Sequence, residues 1–380
     1  MDVAHCVLEG NADAVEFCPY EPFRNLLAAS TYVLQEGDSP SRSGSITLFD
    51  VDADSGRLEL TQRVETAGVF DIKWSRWCSE NLDRPFLAQA DANGCVRIYG
   101  LQQSTSSSVS GKLGNCLSEV CSKCISSSSM SLCVDWHPSA ASMAVGLSDG
   151  SVSIVSLDQS ILNERHHWKA HDFELWAASF DIQNPMLVYT GSDDCRFSCW
   201  DLRNDPSSRT VFSDKRAHKM GVCSIAKSPF DPNTVLTGSY DESLRIWDVR
   251  ATSRPVNVSS VCHGGGVWRI KHHPEVPGLA LTACMHNGFA VVRFDGSGAR
   301  IAETYAKHGS LAYGADWQRR DITCSAVVAT CSFYDRMVRV WVPQHRLCRI
   351  YSPSLKGRNY LFAAEICRRL HGPGALAISL

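Results

Sequence analysis

The sequence predicts an all-β fold in which seven repeated four-stranded units close into a propeller, followed by a short basic C-terminal extension. Two segments, 171–203 and 218–250, superimpose without a gap at an offset of 47 residues. Weaker copies of the same pattern lie on both sides of this pair. Within the copies, short stretches that alternate apolar and polar residues are bounded by Gly, Asp and Asn, which is typical of β-strands joined by tight turns.

The composition limits the class of protein. The chain has 380 residues, 44% of them apolar, and a net charge of −3, so it can bury a large core and has no excess of basic groups for nucleic acid or an anionic membrane. It shows no apolar run of about 18 residues and no signal peptide. Its 17 cysteines are therefore interpreted as free thiols of a cytoplasmic protein. We expect a monomer that binds neither nucleic acid nor a membrane.

The two strongest copies define the repeated unit, which resembles the WD repeat. Such a unit has four strands, a His near its start, an Asp in a tight turn and Trp-Asp at its end. The His, the Asp, a Ser or Thr and the Trp are expected to form a buried hydrogen-bond network, in which an unpaired member would be costly. The matched positions are His171 and His218, Gly191 and Gly238, Asp194 and Asp241, and the Trp-Asp pairs at 200–201 and 247–248.

The other five units are weaker. The first carries an insertion at 35–43, and Ala4 to Leu8 are predicted to supply the outer strand of the last blade and so close the ring. The propeller is predicted to span residues 1–342. In chain order the weaker units run from AVEFCP to GSITLFDV (14–51), from FDIKWS to QADANGCVRIYGL (70–101), from LCVDWHP to GLSDGSVSIVSL (132–157), from His263, and from His308 to Trp341.

Two segments fall outside the repeat pattern. A Ser-rich and Cys-rich stretch at about 102–131 is predicted to be a long interblade loop. Its Cys121-x-x-Cys124 pair has no second pair at zinc-ribbon spacing, so we predict no metal site there. Residues 343–380 form the basic extension, with a helix-like segment NYLFAAEICRRLHG, and are predicted to be helical or disordered.

Two short motifs resemble those of serine esterases. GLSDG (146–150) matches G-x-S-x-G, and HGGG (263–266) resembles the oxyanion loop of lipases. However, a nucleophile elbow requires a strand, a sharp turn and a helix. The repeat alignment places GLSDG in a hairpin turn followed by a strand. Neither motif therefore indicates a serine nucleophile.

The sixth unit departs from the pattern of its neighbours. His263 is followed at the usual separation of 23 residues by His286 rather than by Asp, and Val292 replaces the Trp. Two imidazoles cannot reproduce a His–carboxylate bond, so one of them is predicted to be freed toward the top of the propeller. A histidine there is a candidate general base or acid. The alternative is that the blade is degenerate and its histidine is packed and structural.

Aromatic residues gather at one face of units four to seven. Positions just before the turn Asp and at the start of each inner strand are expected to project there, and part of this set must be core. Aromatic rings with a nearby carboxylate suit a quaternary ammonium group. The candidate substrate-binding residues are Trp176, Asp193, Tyr240, Trp268, Arg269, Tyr313 and Tyr334.

Several local strings are more specific than the repeat. The strings are HKMGVCSIAKSPFDPNTVLTGSYDE, GGGVWRIKHHP, TACMHNGF, YGADW and ATCSFYD. Together they resemble the diphthine methyltransferase family, better described as diphthine methylesterases. The resemblance spans about 14–341. It implies hydrolysis of the methyl ester of diphthine methyl ester on elongation factor 2, which yields diphthine and methanol in diphthamide biosynthesis without a cofactor. The alternative is a non-catalytic WD-repeat adaptor or scaffold.

The implied reaction needs an activated water or nucleophile and a stabiliser for the tetrahedral oxyanion. We favour His286 or His263 as a base on water. The backbone N–H groups of Gly264–Gly266 or the guanidinium of Arg269 are candidate oxyanion donors. An alternative uses a thiol with one of the histidines, and its candidates are Cys223, Cys284 and Cys331. The resemblance also implies a trimethylammonium group on the substrate, which would contact the aromatic set. Its nearest candidates are Trp176, Trp268, Tyr313 and Tyr334.

Overall fold

The computed structural model describes residues 1–37, 41–75, 84–103, 114–296, 298–321 and 324–344. All regular secondary structure within these ranges is β-strand. The strands form seven four-stranded antiparallel sheets. The predicted all-β, seven-bladed propeller is confirmed. The described residues contain no helix that could span a membrane.

The first half of the ring contains three blades and the strand that closes the ring. In each blade the first strand lies innermost and the fourth outermost. The closing strand is β1 (Asp2–Val7). Blade one contains β2 (Asn11–Phe17), β3 (Leu26–Gln35), β4 (Ser41–Asp52) and β5 (Arg57–Ala67). Blade two contains β6 (Val69–Trp74), β7 (Phe86–Asp91), β8 (Cys95–Gln103) and β9 (Asn115–Cys124). Blade three contains β10 (Ser131–Trp136), β11 (Ser142–Leu147), β12 (Ser151–Asp158) and β13 (Ile161–Lys169).

The second half contains four blades in the same order. Blade four contains β14 (Leu175–Phe180), β15 (Leu187–Ser192), β16 (Phe197–Asp201) and β17 (Phe212–Asp214). Blade five contains β18 (Val222–Lys227), β19 (Thr234–Ser239), β20 (Ser243–Asp248) and β21 (Val256–Cys262). Blade six contains β22 (Arg269–His272), β23 (Leu279–Ala283), β24 (Phe289–Asp295) and β25 (Gly298–Tyr305). Blade seven contains β26 (Ala312–Trp317), β27 (Val328–Ser332) and β28 (Met337–Trp341), and β1 completes it.

The two ends of the ring meet in blade seven. Strand β1 pairs antiparallel with β28, with His5 opposite Arg339 and Val7 opposite Met337. The N–H of Leu8 extends this pairing to the carbonyl of Arg336 at 2.8 Å. The outer strand predicted near residues 4–8 is therefore confirmed. Because one sheet joins both ends of the ring, opening the ring would break this ladder.

Tryptophans at the ends of inner strands join neighbouring blades. The indole N–H of Trp74 donates to the carbonyl of Glu16, and that of Trp136 to the carbonyl of Lys73. Trp317 makes the same bond to Lys271. Each ring also fills the apolar layer between two blades, so one side chain supplies both packing and a satisfied polar group.

The predicted His–Asp–Thr–Trp network forms in blade four. His171 Nδ1 contacts a carboxylate oxygen of Asp194 at 2.9 Å, and its Nε2 lies 2.8 Å from Thr190 Oγ1. Trp200 donates to the same hydroxyl at 2.8 Å. In blade five the histidine and tryptophan bind Thr237 in the same way, but Arg245 lies between His218 and Asp241.

The predicted interblade loop at 102–131 is wrong for residues 115–124. Residues 115–124 form β9, which pairs with β8 along the outside of blade two, and Cys121 and Cys124 lie on this strand. Serine-rich composition favours loops, but pairing with an existing strand satisfies the backbone and overrides that preference. Residues 104–113 and the extension from 345 onward lie outside the described residues.

The GLSDG segment is a hairpin turn between β11 and β12, as predicted. Gly150 has a φ of +87°, and a Cβ there would lie 2.4 Å from the carbonyl oxygen of His171. The hydroxyl of Ser148 accepts a hydrogen bond from the N–H of Met130. A strand follows the turn, so this segment cannot serve as a nucleophile elbow.

Candidate functional site

No hydrogen bond joins His263 to His286 among the described residues, which agrees with the prediction that one of the two histidines is freed. The side chain that reaches His263 belongs to Asn287, whose amide donates to the His263 carbonyl. The turn has also changed shape, because both Met285 (φ 38°) and Gly288 (φ 70°) adopt left-handed conformations. The turn of blade four has a single such residue. The separation of 23 residues is therefore kept while His286 is left exposed to solvent.

His263 has the structural role that the sequence left open as the alternative. It is 3% exposed, and its Nε2 lies 3.1 Å from Thr282 Oγ1, as the histidines of blades four and five lie against Thr190 and Thr237. Burial lowers the pKa of His263 to about 4, so the ring is neutral near pH 7. His263 is therefore not a candidate base, because Thr282 holds its ring and it does not line the pocket formed by Asp13, Trp176, Trp268 and Arg269.

Close packing explains the three glycines after His263. A Cβ on Gly265 would lie 2.2 Å from the carbonyl oxygen of Cys284. A Cβ on Gly266 would lie 2.7 Å from the sulfur of Met285. The glycines let this loop lie directly against the altered turn of blade six. The likeness to a lipase loop arises from this packing requirement.

The three candidate thiols are unsuited to act as nucleophiles. All three are buried, and burial raises the pKa of Cys284 to about 12. Burial also raises the pKa of Cys223 and of Cys331. A nucleophilic cysteine needs a lowered pKa, because the thiolate is the reactive form. The thiol alternative is thus overturned for these residues.

Arg269 lies inside the central channel rather than on the rim. Its guanidinium contacts Asp71 at 2.9 Å, which joins blade six to blade two across the channel. Burial acts to lower the pKa of Arg269, but Asp71, Asp13 and Glu16 outweigh it and raise the pKa. Arg269 is therefore a fixed positive charge beneath the mouth of the channel.

The predicted aromatic residues do come together at this mouth. Trp176 and Trp268 have ring centroids 5.3 Å apart, and Trp268 stacks on Tyr313 at 4.8 Å. Tyr240 lies 5.8 Å from Trp268. These four rings come from blades four to seven, as the sequence predicts. The name mouth cluster is used below for the rings of Tyr32, Phe70, Trp176, Tyr240, Trp268, Tyr313, Phe333 and Tyr334.

The mouth cluster continues into blades one and two. Phe333 lies 5.1 Å from Tyr313 and 4.9 Å from Tyr334, which is 69% exposed. Tyr32 lies 5.0 Å from Phe333 and also 5.0 Å from Phe70. Sequence analysis missed Tyr32 because the first unit has diverged most from the repeat.

Asp193 adds negative charge beside the mouth cluster. Burial raises its pKa, and the neighbouring carboxylates of Glu174 and Asp194 act in the same direction. The indole N–H of Trp176 opposes this shift. A carboxylate crowded by others attracts cations, so the predicted combination of aromatic rings and an acidic group is present.

Sequence analysis missed the most unusual carboxylate, Asp13. It is 2% exposed and lines a pocket within the mouth, and its Oδ1 has no hydrogen-bond partner among the described residues. Burial raises the pKa of Asp13 to about 8, although Arg269 acts to lower it. The pocket is lined by Asp13, Phe70, Leu132, Trp176, Cys223, Trp268 and Arg269.

A signal for Asp13 exists in the sequence, but it is weak. Asp13 lies at the start of β2, where the inner strands of the other six blades carry apolar or aromatic residues. An acidic residue between two alanines in an inner strand breaks that pattern. The repeat pattern of the first unit becomes clear only from Ala14 onward, which leaves Asp13 just outside it. The corresponding residues are Phe70, Leu132, Trp176, Cys223, Trp268 and Tyr313.

Comparisons with known proteins agree with this architecture. The family "WD domain, G-beta repeat" matches residues 162–201 and 208–248. The chain is 31% identical to the "Diphthine methyltransferase homolog" of Dictyostelium discoideum over 88% of its own length and 97% of that protein. It is 33% identical to the "Diphthine methyltransferase" of Homo sapiens over 81% of its length and 73% of that protein.

A likeness to a solved structure concerns the fold alone. A chain of the "Crystal Structure of Mitotic Checkpoint Complex" superimposes with a TM-score of 0.64 over 89% of this chain and 90% of that one. The two sequences are 17% identical. At this identity, the shared propeller carries no information about activity.

Proposed function

The chain belongs to the diphthine methyltransferase family of WD-repeat proteins and so has a role in diphthamide biosynthesis, and we propose that its reaction is the hydrolysis of a methyl ester. The substrate in this proposal is diphthine methyl ester on elongation factor 2. Water accepts the acyl group, and the products are diphthine and methanol. The protein acts in the cytoplasm as a monomer, with elongation factor 2 as its protein partner.

The observation that carries this proposal is the mouth cluster with its carboxylates. The substrate side chain bears a trimethylammonium group close to its ester. Such a cation cannot donate hydrogen bonds, so aromatic faces and negative charge are what recognise it. The ring centroid of Trp268 lies 5.3 Å from that of Trp176 and 4.8 Å from that of Tyr313, with Asp193 beside Trp176. Each ring contact contributes about 1 kcal/mol.

The channel beneath the mouth cluster supplies a positive charge where the reaction needs one. Attack on an ester carbonyl puts negative charge on oxygen, and a fixed donor that meets this charge lowers the barrier. Arg269, held by Asp71 at 2.9 Å, is such a donor. His286, exposed in the turn after β23, stays a candidate base in this proposal.

The test is methanol release from elongation factor 2 that carries the methyl ester. We expect the purified chain to release one methanol per modified factor, and a parallel sample of factor without the ester to release none. Asp172→Asn provides a control for charge on the same face. Its side chain is 64% exposed and pairs only with surface groups such as Arg196. Tight binding without methanol release would support the adaptor alternative instead.

A further inference from the structure

We propose that Asp13 is the catalytic base of this site and activates the water that attacks the ester. The inference rests on the proposed function. It differs from the histidine assignment that the sequence suggested. Three observations carry it: the place of Asp13 in the pocket, its Oδ1 without a well-aligned hydrogen bond to any described residue, and the donors that surround it.

The pocket brings Asp13 together with unsatisfied donors. Trp176 Nε1 and Trp268 Nε1 are buried and, like Asp13 Oδ1, form no well-aligned hydrogen bond with any described residue. Three such atoms at one pocket are unusual, because nearly all buried polar atoms in proteins have partners. The cavity has a volume of about 20 Å³, which is enough for one water molecule. The arrangement thus suits a single water held at Asp13.

Other buried carboxylates among the described residues have well-aligned structural partners, which Oδ1 of Asp13 lacks. Asp91 binds Arg97 at 3.0 Å, and Asp71 binds Arg269 at 2.9 Å. Asp181 accepts a hydrogen bond from Tyr189 at 3.0 Å. A carboxylate kept for stability would be paired in this way. The position of Asp13 at the mouth points to a functional use.

The charges around Asp13 favour a base that works near neutral pH. Burial raises its pKa to about 8, Arg269 lowers it, and Asp71 raises it. The indole N–H of Trp268 also acts to lower it. Burial raises the pKa values of four neighbouring groups, and Asp13 raises the same pKa values further, so all four groups are neutral near pH 7. These groups are Tyr32, Tyr240, Tyr313 and Cys331. A base is most effective when its pKa lies near the working pH.

The reaction balances with water as the sole co-reactant. The Asp13 carboxylate takes a proton from water as the water oxygen bonds to the ester carbon, and the carbonyl oxygen becomes an oxyanion facing Arg269 and the Trp268 N–H. The bond from carbon to the methoxy oxygen then breaks, and the proton on Asp13 passes to that oxygen to give methanol. The new carboxylic acid loses its proton to solvent. No covalent enzyme intermediate forms.

The experiment compares wild type with Asp13→Asn, Asp13→Ala and the control Asp172→Asn, using full-length chains and esterified elongation factor 2. We expect Asp13→Asn to lower kcat at least 100-fold while KM changes less than threefold and Tm does not fall. The control should keep at least half of the wild-type kcat. Added formate should restore part of the activity of Asp13→Ala, because it can replace the missing carboxylate. In wild type, kcat/KM should rise with pH toward about 8.

The outcomes separate the two proposals. If wild type releases no methanol, the proposed function fails, and the role of Asp13 fails with it. If wild type is active and Asp13→Asn keeps more than a tenth of its kcat, the function stands and Asp13 is not the base. Loss of activity together with loss of substrate binding or a lower Tm would make Asp13 structural. If His286→Ala alone abolishes turnover, the base is the histidine.

Discussion

Asp13 and Asp194 show how surroundings decide what a single carboxylate does. Burial acts to raise the pKa of Asp194, but hydrogen bonds from His171 and from backbone N–H groups outweigh it and lower the pKa. Around Asp13, burial raises the pKa to about 8 and outweighs Arg269 and the Trp268 N–H, which act to lower it. The first carboxylate stays ionised and holds a blade. The second can exchange a proton near neutral pH.

The raised pKa of Asp13 predicts a pH-dependent cost to stability. Folding keeps a proton on Asp13 that the unfolded chain, with a pKa of 3.8, releases. The folded state therefore loses stability as the pH rises from about 4 to about 8. Asp13→Asn removes this dependence, so its Tm should exceed that of wild type by an amount that grows across this range. Melting curves at pH 5 and pH 8 test this, and an Asp13→Asn protein that melts lower at pH 8 would contradict it.

Trp176 offers a test of cation recognition that keeps the Asp13 carboxylate in place. Trp176→Leu removes one aromatic face, so we expect KM for the esterified factor to rise about fivefold, which corresponds to about 1 kcal/mol, with a much smaller fall in kcat than Asp13→Asn causes. Phe173→Leu is the matched control, because Phe173 lies on the same face and is 59% exposed. Steady-state methanol release provides both constants. Equal effects of the two substitutions would argue against a cation site at Trp176.

At the scale of single elements, the blades share one plan but differ in what stabilises it. In blade four, Thr190 binds both His171 and Trp200. In blade six, Thr282 binds His263 at 3.1 Å, but Val292 stands where the tryptophan would be. The sixth blade thus has a smaller hydrogen-bond network. Its altered turn leaves His286 exposed and outside that network.

This difference predicts unequal costs for the same substitution. Thr190→Val leaves two buried polar atoms unpaired, the Trp200 N–H and His171 Nε2, so we expect it to lower the free energy of unfolding by about 2 kcal/mol or more. Thr282→Val affects one ring nitrogen and a weak thiol contact with Cys284, and should cost about 1 kcal/mol. Urea unfolding of both variants measures the two values. A cost for Thr282→Val that equals or exceeds that of Thr190→Val would contradict this account of blade six.

At the scale of the whole molecule, the ring is complete between Asp2 and Trp341. The seven sheets lie within this span, and β1 joins β28. A charged layer fills the channel, where Lys271 meets Glu16 and Lys73 lies 3.5 Å from Asp135. The first pair joins blades six and one, and the second joins the neighbouring blades two and three.

Truncation tests whether this span is sufficient. A chain that ends at Gln344 keeps every strand of the seven sheets, and also the contact of the Gln344 N–H with Glu303. We expect its Tm to lie within about 2 °C of the full chain and its rate of methanol release to be unchanged. Differential scanning calorimetry and the same enzymatic assay check this. A large drop in Tm would mean that residues beyond 344 contribute to the propeller.

Much of the fold and part of the site could be predicted from the sequence. Local patterns predict the seven units, the closing strand and the aromatic residues of blades four to seven. Strand periodicity, turn residues and repeat spacing each depend on residues that are close in sequence. The pairing of Asp71 with Arg269 joins residues 198 positions apart, and no local pattern contains it. The tertiary structure alone shows that Asp13 lacks a partner and that His286 does not reach His263. Both depend on which groups meet across the channel and on the exact shape of one turn, and these are properties of the closed ring.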